Sequence, residues 1–394
     1  MADDIVITGL GIVSPIGSAE GPFWDSLCNG RSGASPVDGM DTTELPRKVA
    51  CQVRDPVDVG RPLGRASQLA VAASRQAIAS AGLVPADAPD ARFGVTIGTT
   101  MGETDFIEER LFAPDLQWLA PEQMRRVADG RPGCISRNVQ TDLGTRGPCR
   151  DLYGACAAGN MAIAAARHEL LDGQCDIALA GGADGFSRLA FIGFMRLRIM
   201  TADVCRPFDE ARDGLWVGEG AAMFVLERES SARARGATIR ARVLSCSTTC
   251  ENYHPTRPDP EGDGLTRATQ DALHRTGLRP EEIGYVCAHG TGTPQNDAIE
   301  VKVLQKCFPH GVAFSSIKAL TGHTMGAAAA IETACCVLSL EHQTLVPTWN
   351  LANALPCDPL DPVRGGVRRA RLSCALNNSA GFGGYNSSII LAGA

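Results

Sequence analysis

One cysteine and two histidines in this chain could together carry a group-transfer reaction. Cys156 lies in the run Gly-Ala-Cys-Ala-Ala-Gly, where an Ala-rich helix is predicted to begin. Unpaired backbone N–H groups and the dipole at a helix N-terminus favour thiolate over thiol, and the same N–H groups can hold an oxyanion. Cys156 is therefore predicted to be a nucleophile. Most of the other cysteines are expected to be small buried apolar side chains.

The two histidines each lie in a glycine-bordered turn after a predicted strand. His289 is in Ala-His-Gly-Thr-Gly-Thr and His323 is in Thr-Gly-His-Thr-Met-Gly. Strand ends often carry the chemistry of α/β proteins, and two imidazoles beside a thiolate could donate hydrogen bonds to a carbonyl or an enolate. Either histidine alone would more simply be structural. Glu332 interrupts an apolar helix, so its carboxylate needs a buried partner, for which Lys318 is the candidate.

A glycine-rich stretch near the C-terminus, at 377–386, contains Phe382 and Tyr385. Such a stretch can bring a backbone N–H close to a substrate and allow Phe382 to swing. A plain tight turn is an equally good interpretation of this stretch taken alone.

The elements that must position these residues alternate between strands and helices. Short apolar runs predict strands at 5–8, 93–97, 177–180, 222–226, 285–288, 313–316 and 388–391. Two Ala-rich segments, 156–173 and 322–341, predict helices that are buried on several sides, because apolar residues surround them. Both segments begin at a turn with Gly, His or Cys, which indicates a duplicated α/β architecture.

The predicted division between the two halves falls near Arg240, after a charged stretch. Residues 1–240 would form the half with the nucleophile, and 241–394 would form the half with both histidines and the glycine-rich turn. Within the first half, about 103–150 is polar and rich in Pro and Arg. This part is predicted to be a long excursion that covers the site or contacts a second subunit.

Composition excludes several classes of protein. The 394 residues carry a net charge of −7 without a long basic run, so no nucleic-acid partner is predicted. No segment reaches the roughly 18 apolar residues of a membrane helix, so no membrane association is expected. The 15 scattered cysteines lack a C-x-x-C pair, so neither disulfides nor a metal site is predicted. With an acidic start unlike a secretory signal, these features predict a cytoplasmic location.

Six motifs, in order, carry a resemblance that spans nearly the whole chain. They are ITGLGIVSPIG at the start, GACAAG around Cys156, CRPFDEARDGLWVGEGA from Cys205, HGTGTPQNDAIE from His289, SIKALTGHTMGAAAAIE from Ser316 and GFGGYN from Gly381. The chain resembles the β-ketoacyl-acyl carrier protein synthases of the elongating, synthase II-like type, in the thiolase superfamily. The resemblance implies a thiolase fold, a five-layer αβαβα sandwich of two similar halves. It also implies a dimer that condenses an acyl group on Cys156 with malonyl-acyl carrier protein.

The resemblance assigns roles to matching positions. Cys156 would accept the acyl group, while His289 and His323 would assist decarboxylation and stabilise the enolate. Lys318 and Glu332 would maintain the electrostatics of the site, and the backbone N–H groups of Cys156 and Phe382 would form an oxyanion hole, with the Phe382 side chain as a gate. Ile107 and Ala380 would line the acyl pocket, and Thr291 and Thr293 would contact the phosphopantetheine arm. Arg61, Arg65 and Arg198 would dock the carrier protein. For Arg65, an isolated solvated arginine is an equally good interpretation. No cofactor is implied beyond the phosphopantetheine arm of the acyl carrier protein.

Several departures from the family pattern accompany this resemblance. The family has Thr at Gly154 and Phe at Ala380, so a wider or looser pocket is predicted. Cys287 replaces an Asn that, with the equivalent of Glu332, helps form a buried monovalent-cation site in relatives, which puts that ion in question here. Tyr385 replaces a Thr or His. These changes favour a type II polyketide or polyene pathway over housekeeping fatty-acid synthesis.

Three other functions share parts of the pattern. A thiolase needs a second cysteine in a C-terminal Cys-x-Gly-x-Gly turn, but Cys374 is followed by Ala-Leu-Asn. A non-condensing partner like a chain-length factor typically lacks the nucleophile, which Cys156 supplies here. A ketosynthase-like acyltransferase would use Cys156 without decarboxylation and stays open. The implied partners are an acyl carrier protein and a second ketosynthase-like subunit, in a homodimer or a heterodimer.

Overall fold

The computed structural model describes residues 3–85, 91–105, 108 and 133–394. Its strands are β1 (Ile5–Val13), β2 (Ala34–Pro36), β3 (Val49–Cys51), β4 (Phe93–Thr99), β5 (Cys149–Tyr153), β6 (Ile177–Asp184), β7 (Gly220–Arg228), β8 (Ala241–Cys250), β9 (Ile283–Cys287), β10 (Ala313–Ser315), β11 (Thr344–Leu345), β12 (Asp361–Pro362), β13 (Arg368–Arg369), β14 (Cys374–Ala380) and β15 (Tyr385–Gly393). Its α-helices are α1 (Glu20–Asn29), α2 (Arg65–Ser80), α3 (Cys134–Leu143), α4 (Ala158–Leu171), α5 (Arg188–Arg196), α6 (Glu229–Ala234), α7 (Asp263–Thr276), α8 (Pro294–Cys307), α9 (Lys318–Thr321) and α10 (Ala328–His342). Ile107 and most of the predicted excursion at 103–150 lie outside the described residues.

The long strands form two sets with the same order. Eleven strands join in one sheet, in the order β12-β10-β9-β14-β15-β8-β1-β7-β6-β4-β5. There are two sets of five adjacent strands, β5-β4-β6-β7-β1 and β10-β9-β14-β15-β8. When the strands of each set are ranked by their order along the chain, both sets read third, second, fourth, fifth and first across the sheet. In each set, counted across the sheet, the first three strands are parallel to one another, the fourth is antiparallel to the third, and the fifth is antiparallel to the fourth. This repeat confirms the predicted duplication.

Alternating side chains on the strands enter different apolar cores. On β7, Phe224 and Leu226 pack in a central core with α4 and α10, whereas Met223 and Val225 pack in an outer core with α2. A third core lies under α7 and α8 on the outer face of the second set of strands. Because successive strand residues point to opposite faces, each of the two sets of strands forms its own layer, which is covered on both sides. The layers are therefore helix, sheet, helix, sheet and helix.

The central layer consists of the two Ala-rich helices predicted from the sequence, α4 and α10. Small residues let them approach closely: a Cβ added at Gly159 would lie only 2.7 Å from the backbone nitrogen of Ala330. Every residue of α10 from Ala328 to Leu340 is buried. Despite this apolar helix, no helix among the described residues is long and apolar enough to cross a membrane.

Both central helices are entered through a strained turn. A 3₁₀ turn precedes α4 at Ala155–Ala157 and another precedes α10 at Met325–Ala327. The first residue of each turn has a positive φ, 47° for Ala155 and 55° for Met325. Non-glycine residues in this region cost on the order of 1 kcal/mol, and such strain is often retained at functional sites.

Some elements differ from the sequence-based prediction. Strands β8 and β14 were not predicted, and the region 103–150 contains α3 and the start of β5. The glycine-rich turn is shorter than predicted, because 377–380 complete β14. The two asparagines in this strand resemble turn residues, yet their side chains are buried and hydrogen-bonded. Asn377 donates to Ala329 O at 2.7 Å, and Asn378 accepts from Ser388 Oγ at 2.6 Å.

Candidate active site

The predicted nucleophile and both histidines meet in one pocket. Cys156 lies in the turn after β5, His289 follows β9, and His323 follows the short helix α9. All three line a pocket of about 630 Å³. Cys156 Sγ and one ring nitrogen of each histidine lie within 4.8 Å of one another. The structure therefore brings together three residues that are far apart in the sequence.

Hydrogen bonds fix the proton position on each imidazole. Lys318 Nζ lies 3.3 Å from His289 Nδ1, and the backbone N–H of Met325 donates to His323 Nδ1 at 3.1 Å. Because Nδ1 accepts in both rings, the neutral imidazoles carry their protons on Nε2. Burial, with the Lys318 charge as a second cause, lowers the pKa of His289 and brings that of His323 to about 3. Two neutral N–H donors therefore stand beside the thiol, which suits a carbonyl oxygen better than a metal ion.

Lys318 connects the histidine pair to a buried carboxylate. Its ammonium group donates to Glu332 Oε1 and to the backbone oxygen of His289. The Lys318 and Glu332 side chains are each 1% exposed, so the predicted buried pair is present. Burial raises the pKa of Glu332, and the Lys318 ammonium opposes that rise. Lys318 therefore compensates the carboxylate and orients His289 at the same time.

The backbone around Cys156 forms two adjacent N–H donors. The N–H of Phe382 lies close enough to the Cys156 sulfur to lower the pKa of this thiol. A Cβ added at Gly381 would lie 3.0 Å from the Cys156 nitrogen, so glycine permits the close approach of the two segments. Ser379 Oγ holds the pair together by donating to Cys156 O at 3.0 Å. This geometry fits the predicted oxyanion hole, whose role stays a prediction.

The ionisation of Cys156 differs from the prediction. Burial raises the pKa of this thiol to about 11, outweighing the Lys318 charge and the Phe382 N–H, which both lower it. A helix start was expected to favour the thiolate, but removal from water penalises that charge more strongly. Cys156 is therefore a thiol at neutral pH, and its acylation requires removal of the proton.

The alkylation rate of Cys156 should report this raised pKa. With iodoacetamide we expect the rate to rise about tenfold per pH unit from pH 7 to pH 9, because the thiolate fraction grows tenfold per unit below the pKa. The measurement is intact mass with peptide mapping in a Cys250→Ser background, since Cys250 is the exposed cysteine. A rate that is already constant above pH 7 would contradict the raised pKa.

The remaining predicted pocket residues surround the path to Cys156. Ala380, Thr291 and Thr293 all line the same pocket, and the two threonine hydroxyls are 2.8 Å apart. Phe382 stacks on Phe194 with 5.6 Å between ring centroids and 13° between planes. Phe194 was not predicted as a pocket residue, because a phenylalanine in an apolar helix is indistinguishable from a core residue. The predicted gate thus rests against a second aromatic ring.

The predicted loosening at Gly154 does not occur. A Cβ at this position would lie 2.3 Å from Met161 Sδ, so the methionine side chain fills the space that a threonine would need. Long, flexible methionine side chains commonly fill such irregular gaps. The departure at Gly154 is therefore compensated within the chain.

The three predicted docking arginines differ in their availability. Arg198 is exposed and lines the pocket. Arg61 is partly buried and donates to Asn138 O at 2.6 Å. Arg65 pairs with Glu219 at 2.7 Å, and the Glu219 side chain is only 3% exposed. Because a buried carboxylate occupies the guanidinium of Arg65, the structure argues against both the docking role and the isolated solvated arginine.

Two buried carboxylates hold the site loops and were missed in the sequence analysis. Asp184, at the end of β6, accepts hydrogen bonds from the backbone N–H groups of Thr100 and Gly326 at 2.8 and 2.6 Å. Glu300 accepts from the backbone N–H groups of His289 and Gly290 at 2.6 and 2.7 Å. A polar residue that ends an apolar strand was the available signal for Asp184. Glu300 lies on the helix that follows the histidine motif.

The residues near Glu332 do not fit a hard monovalent cation. Glu332 Oε2 has no hydrogen-bond partner among the described residues, as an ion ligand would require. However, the neighbouring Cys287 is fully buried and lies beside the thiols of Cys335 and Cys336. Sulfur ligands suit soft metals, whereas hard monovalent cations prefer oxygen. No catalytic step is therefore assigned to such an ion.

Family comparisons agree with this site. Residues 2–232 match the family described as "Beta-ketoacyl synthase, N-terminal domain", and 240–352 match "Beta-ketoacyl synthase, C-terminal domain". The protein named "3-oxoacyl-[acyl-carrier-protein] synthase 2" from Coxiella burnetii is 34% identical over 410 residues, which cover 98% of each chain. The chain belongs to the β-ketoacyl synthase family and is a condensing enzyme of the ketosynthase type.

Solved structures extend the similarity to the whole fold. A chain of "The ishigamide ketosynthase/chain length factor" superimposes with a TM-score of 0.94 at 37% identity, covering 100% of both chains. A chain of the AntDE:AntF structure, described as a type II PKS acyl-carrier protein in complex with its ketosynthase, gives a TM-score of 0.91 at 28% identity with the same coverage. The fold is the thiolase fold of ketosynthases, as the sequence predicted.

Proposed function

We propose that this chain joins an acyl group held on Cys156 to malonyl-acyl carrier protein by decarboxylative Claisen condensation. One observation carries the proposal: a buried thiol, two neutral Nε2–H donors and two backbone N–H groups converge on one pocket. A nucleophile alone would support simple acyl transfer. The two imidazole donors supply what an enolate also needs.

The first half-reaction loads the enzyme. The Cys156 sulfur loses its proton and attacks the thioester carbonyl of an acyl-carrier protein, forming a tetrahedral intermediate. The N–H groups of Cys156 and Phe382 stabilise the oxyanion, where one such donor contributes about 3 kcal/mol. The carbon–sulfur bond to the phosphopantetheine arm then breaks, and the arm leaves as a thiol after taking up the proton. Cys156 carries the acyl group as a new thioester.

The second half-reaction forms the carbon–carbon bond. The bond between the malonyl methylene and its carboxylate breaks, carbon dioxide leaves, and the electron pair forms an enolate. The Nε2–H groups of His289 and His323 donate to the enolate oxygen. The enolate carbon attacks the Cys156 thioester, whose carbon–sulfur bond breaks to release a β-ketoacyl-carrier protein. The thiolate of Cys156 takes up one proton and completes the cycle.

The departures from the family pattern support a type II polyketide or polyene pathway. The structural neighbours include a ketosynthase with a chain length factor and a ketosynthase with its acyl-carrier protein. We propose the same partners here: an acyl carrier protein, and a second ketosynthase-like subunit in a homodimer or heterodimer. The retained Cys156 supports the catalytic rather than the non-condensing role within such a pair.

The compartment and the cofactor requirement follow from the same chemistry. We propose a cytoplasmic enzyme, which the 15 free cysteines support because a reducing compartment keeps thiols unpaired. We also propose that the enzyme needs no cofactor beyond the phosphopantetheine arm of its substrates, since every step above uses side chains and backbone groups of the chain.

Intact-mass analysis tests this function. After incubation with an acyl-carrier protein, the enzyme should gain the acyl mass on Cys156, as located by peptide mapping. Malonyl-carrier protein should then remove that mass and release one carbon dioxide for each acyl group. An adduct that transfers to another acceptor without carbon dioxide would favour the acyltransferase alternative. Absence of any adduct on Cys156 would contradict both functions.

A further inference from the structure

Two arginines at the pocket have side chains without a partner among the described residues. Arg198 and Arg257 are both exposed and both line the pocket that contains Cys156. Among the described residues, neither guanidinium group forms a hydrogen bond or an ion pair. Other arginines of the chain pair with carboxylates, as Arg235 does with Glu227 and Arg240 does with Glu20. Arg198 is also one of the three predicted docking arginines, whereas Arg257 is not.

The fold places both arginines at fixed positions. Arg198 directly follows Leu197 at the end of α5, and its left-handed backbone, with φ of 59°, ends the helix. Arg257 lies in a turn held by His254, whose Nδ1 accepts hydrogen bonds from the N–H groups of Thr256 and Arg257 at 3.1 Å each. Each guanidinium therefore extends from an ordered backbone segment, which reduces the entropy lost when it binds an anion.

Glu251, the acidic side chain among the described residues that line this pocket, forms no ion pair with either arginine. Glu251 Oε1 accepts from the backbone N–H of Asp259 at 2.8 Å, and Oε2 accepts from Asn386 Nδ2 at 3.1 Å. Both carboxylate oxygens are thus used to hold neighbouring loops. Among the described residues of the lining, two guanidinium groups face one carboxylate, which leaves an excess of positive charge. Guanidinium groups bind phosphate through paired, charge-assisted hydrogen bonds.

We infer that Arg198 and Arg257 bind the phosphodiester of the phosphopantetheine arm as it enters the pocket. The inference rests on the proposed function, since that function brings a thioester on this arm to Cys156. The enzyme then recognises the phosphate of its substrates at the pocket, besides any contact that it makes with the carrier protein. Arg257 is the specificity residue that this inference introduces.

Three thioester substrates separate the sources of binding energy. They carry the same acyl group on carrier protein, on free phosphopantetheine and on pantetheine without phosphate. The measured quantity is kcat/KM for acylation of Cys156. Arg257→Gln should lower the preference for phosphopantetheine over pantetheine about tenfold, because one charge-assisted hydrogen bond to the phosphate is lost. Arg257→Lys should recover part of this preference, and Arg198→Gln should lower it as well.

Arg371→Gln is the matched control, since Arg371 is also exposed but does not line the pocket. It should leave the preference unchanged. If Arg257→Gln slows all three substrates equally, the residue only supports its loop and the inference is wrong. If it slows only the carrier-protein substrate, Arg257 binds the protein surface and the phosphate assignment is wrong. Failure of the proposed function itself would be seen separately, as wild-type enzyme that none of the three substrates acylates.

Discussion

Replacing His323 by alanine should reduce condensation about a thousandfold while an acyl group still loads onto Cys156. The expected size is that of removing one preorganised donor to a developing oxyanion. The structure gives His323 this role because its Nδ1 accepts the Met325 N–H, which leaves Nε2–H as the donor. Intact mass would follow loading, and release of carbon dioxide from malonyl-carrier protein would follow the second half-reaction.

Two control variants accompany this prediction, one at a histidine away from the pocket and one at His323 itself. His168→Ala removes an exposed histidine from α4, away from the pocket, and should change neither half-reaction. His323→Gln keeps an N–H donor and should recover part of the rate. Because the pKa of His323 is lowered to about 3, condensation should not slow between pH 8 and pH 6 through protonation of this ring. Equal loss of loading and condensation in His323→Ala would show a structural role instead.

Replacing Lys318 by methionine should destabilise the protein by about 3–5 kcal/mol, because it leaves Glu332 buried without its counter-charge. Both side chains are 1% exposed, so water cannot replace the lost partner. Urea unfolding monitored by fluorescence would measure the change. The variant should also lose condensation activity, since Lys318 Nζ contacts His289 Nδ1 at 3.3 Å.

The pH dependence of this loss identifies its cause. Burial raises the folded-state pKa of Glu332. In Lys318→Met, protonated Glu332 therefore contributes stability at low pH, and this stability is lost as the pH rises through the raised pKa. Lys318→Met should therefore lose more stability, relative to wild type, at pH 8 than at pH 6.

Adding Glu332→Leu should restore much of the stability without restoring activity. Arg368→Met, which breaks the exposed pair with Asp361, should cost less than about 1 kcal/mol. An equal cost for both pairs would contradict the argument.

Local sequence patterns were sufficient for the parts of the fold that repeat. The Ala-rich runs predicted two buried central helices, and the apolar runs predicted seven strands that all lie in the sheet. They were insufficient for β14, where Asn377 and Asn378 resemble turn residues. Distant groups supply partners inside the strand: Ala329 O accepts from the Asn377 amide and Ser388 Oγ donates to that of Asn378. Such partners are chosen by the packing of helices on the sheet and leave no local signal.

The sequence by itself determined the identity of the reacting groups. Cys156, His289 and His323 stand in short motifs at strand ends, and turn chemistry of this kind is local. Only the tertiary structure decided how these groups behave. Burial raises the pKa of Cys156, and Glu219 forms an ion pair with Arg65. In the part of the chain that the structure describes, the Arg257 guanidinium lies at the pocket without a partner. Desolvation and charge pairing depend on distances between remote residues, which no local periodicity encodes.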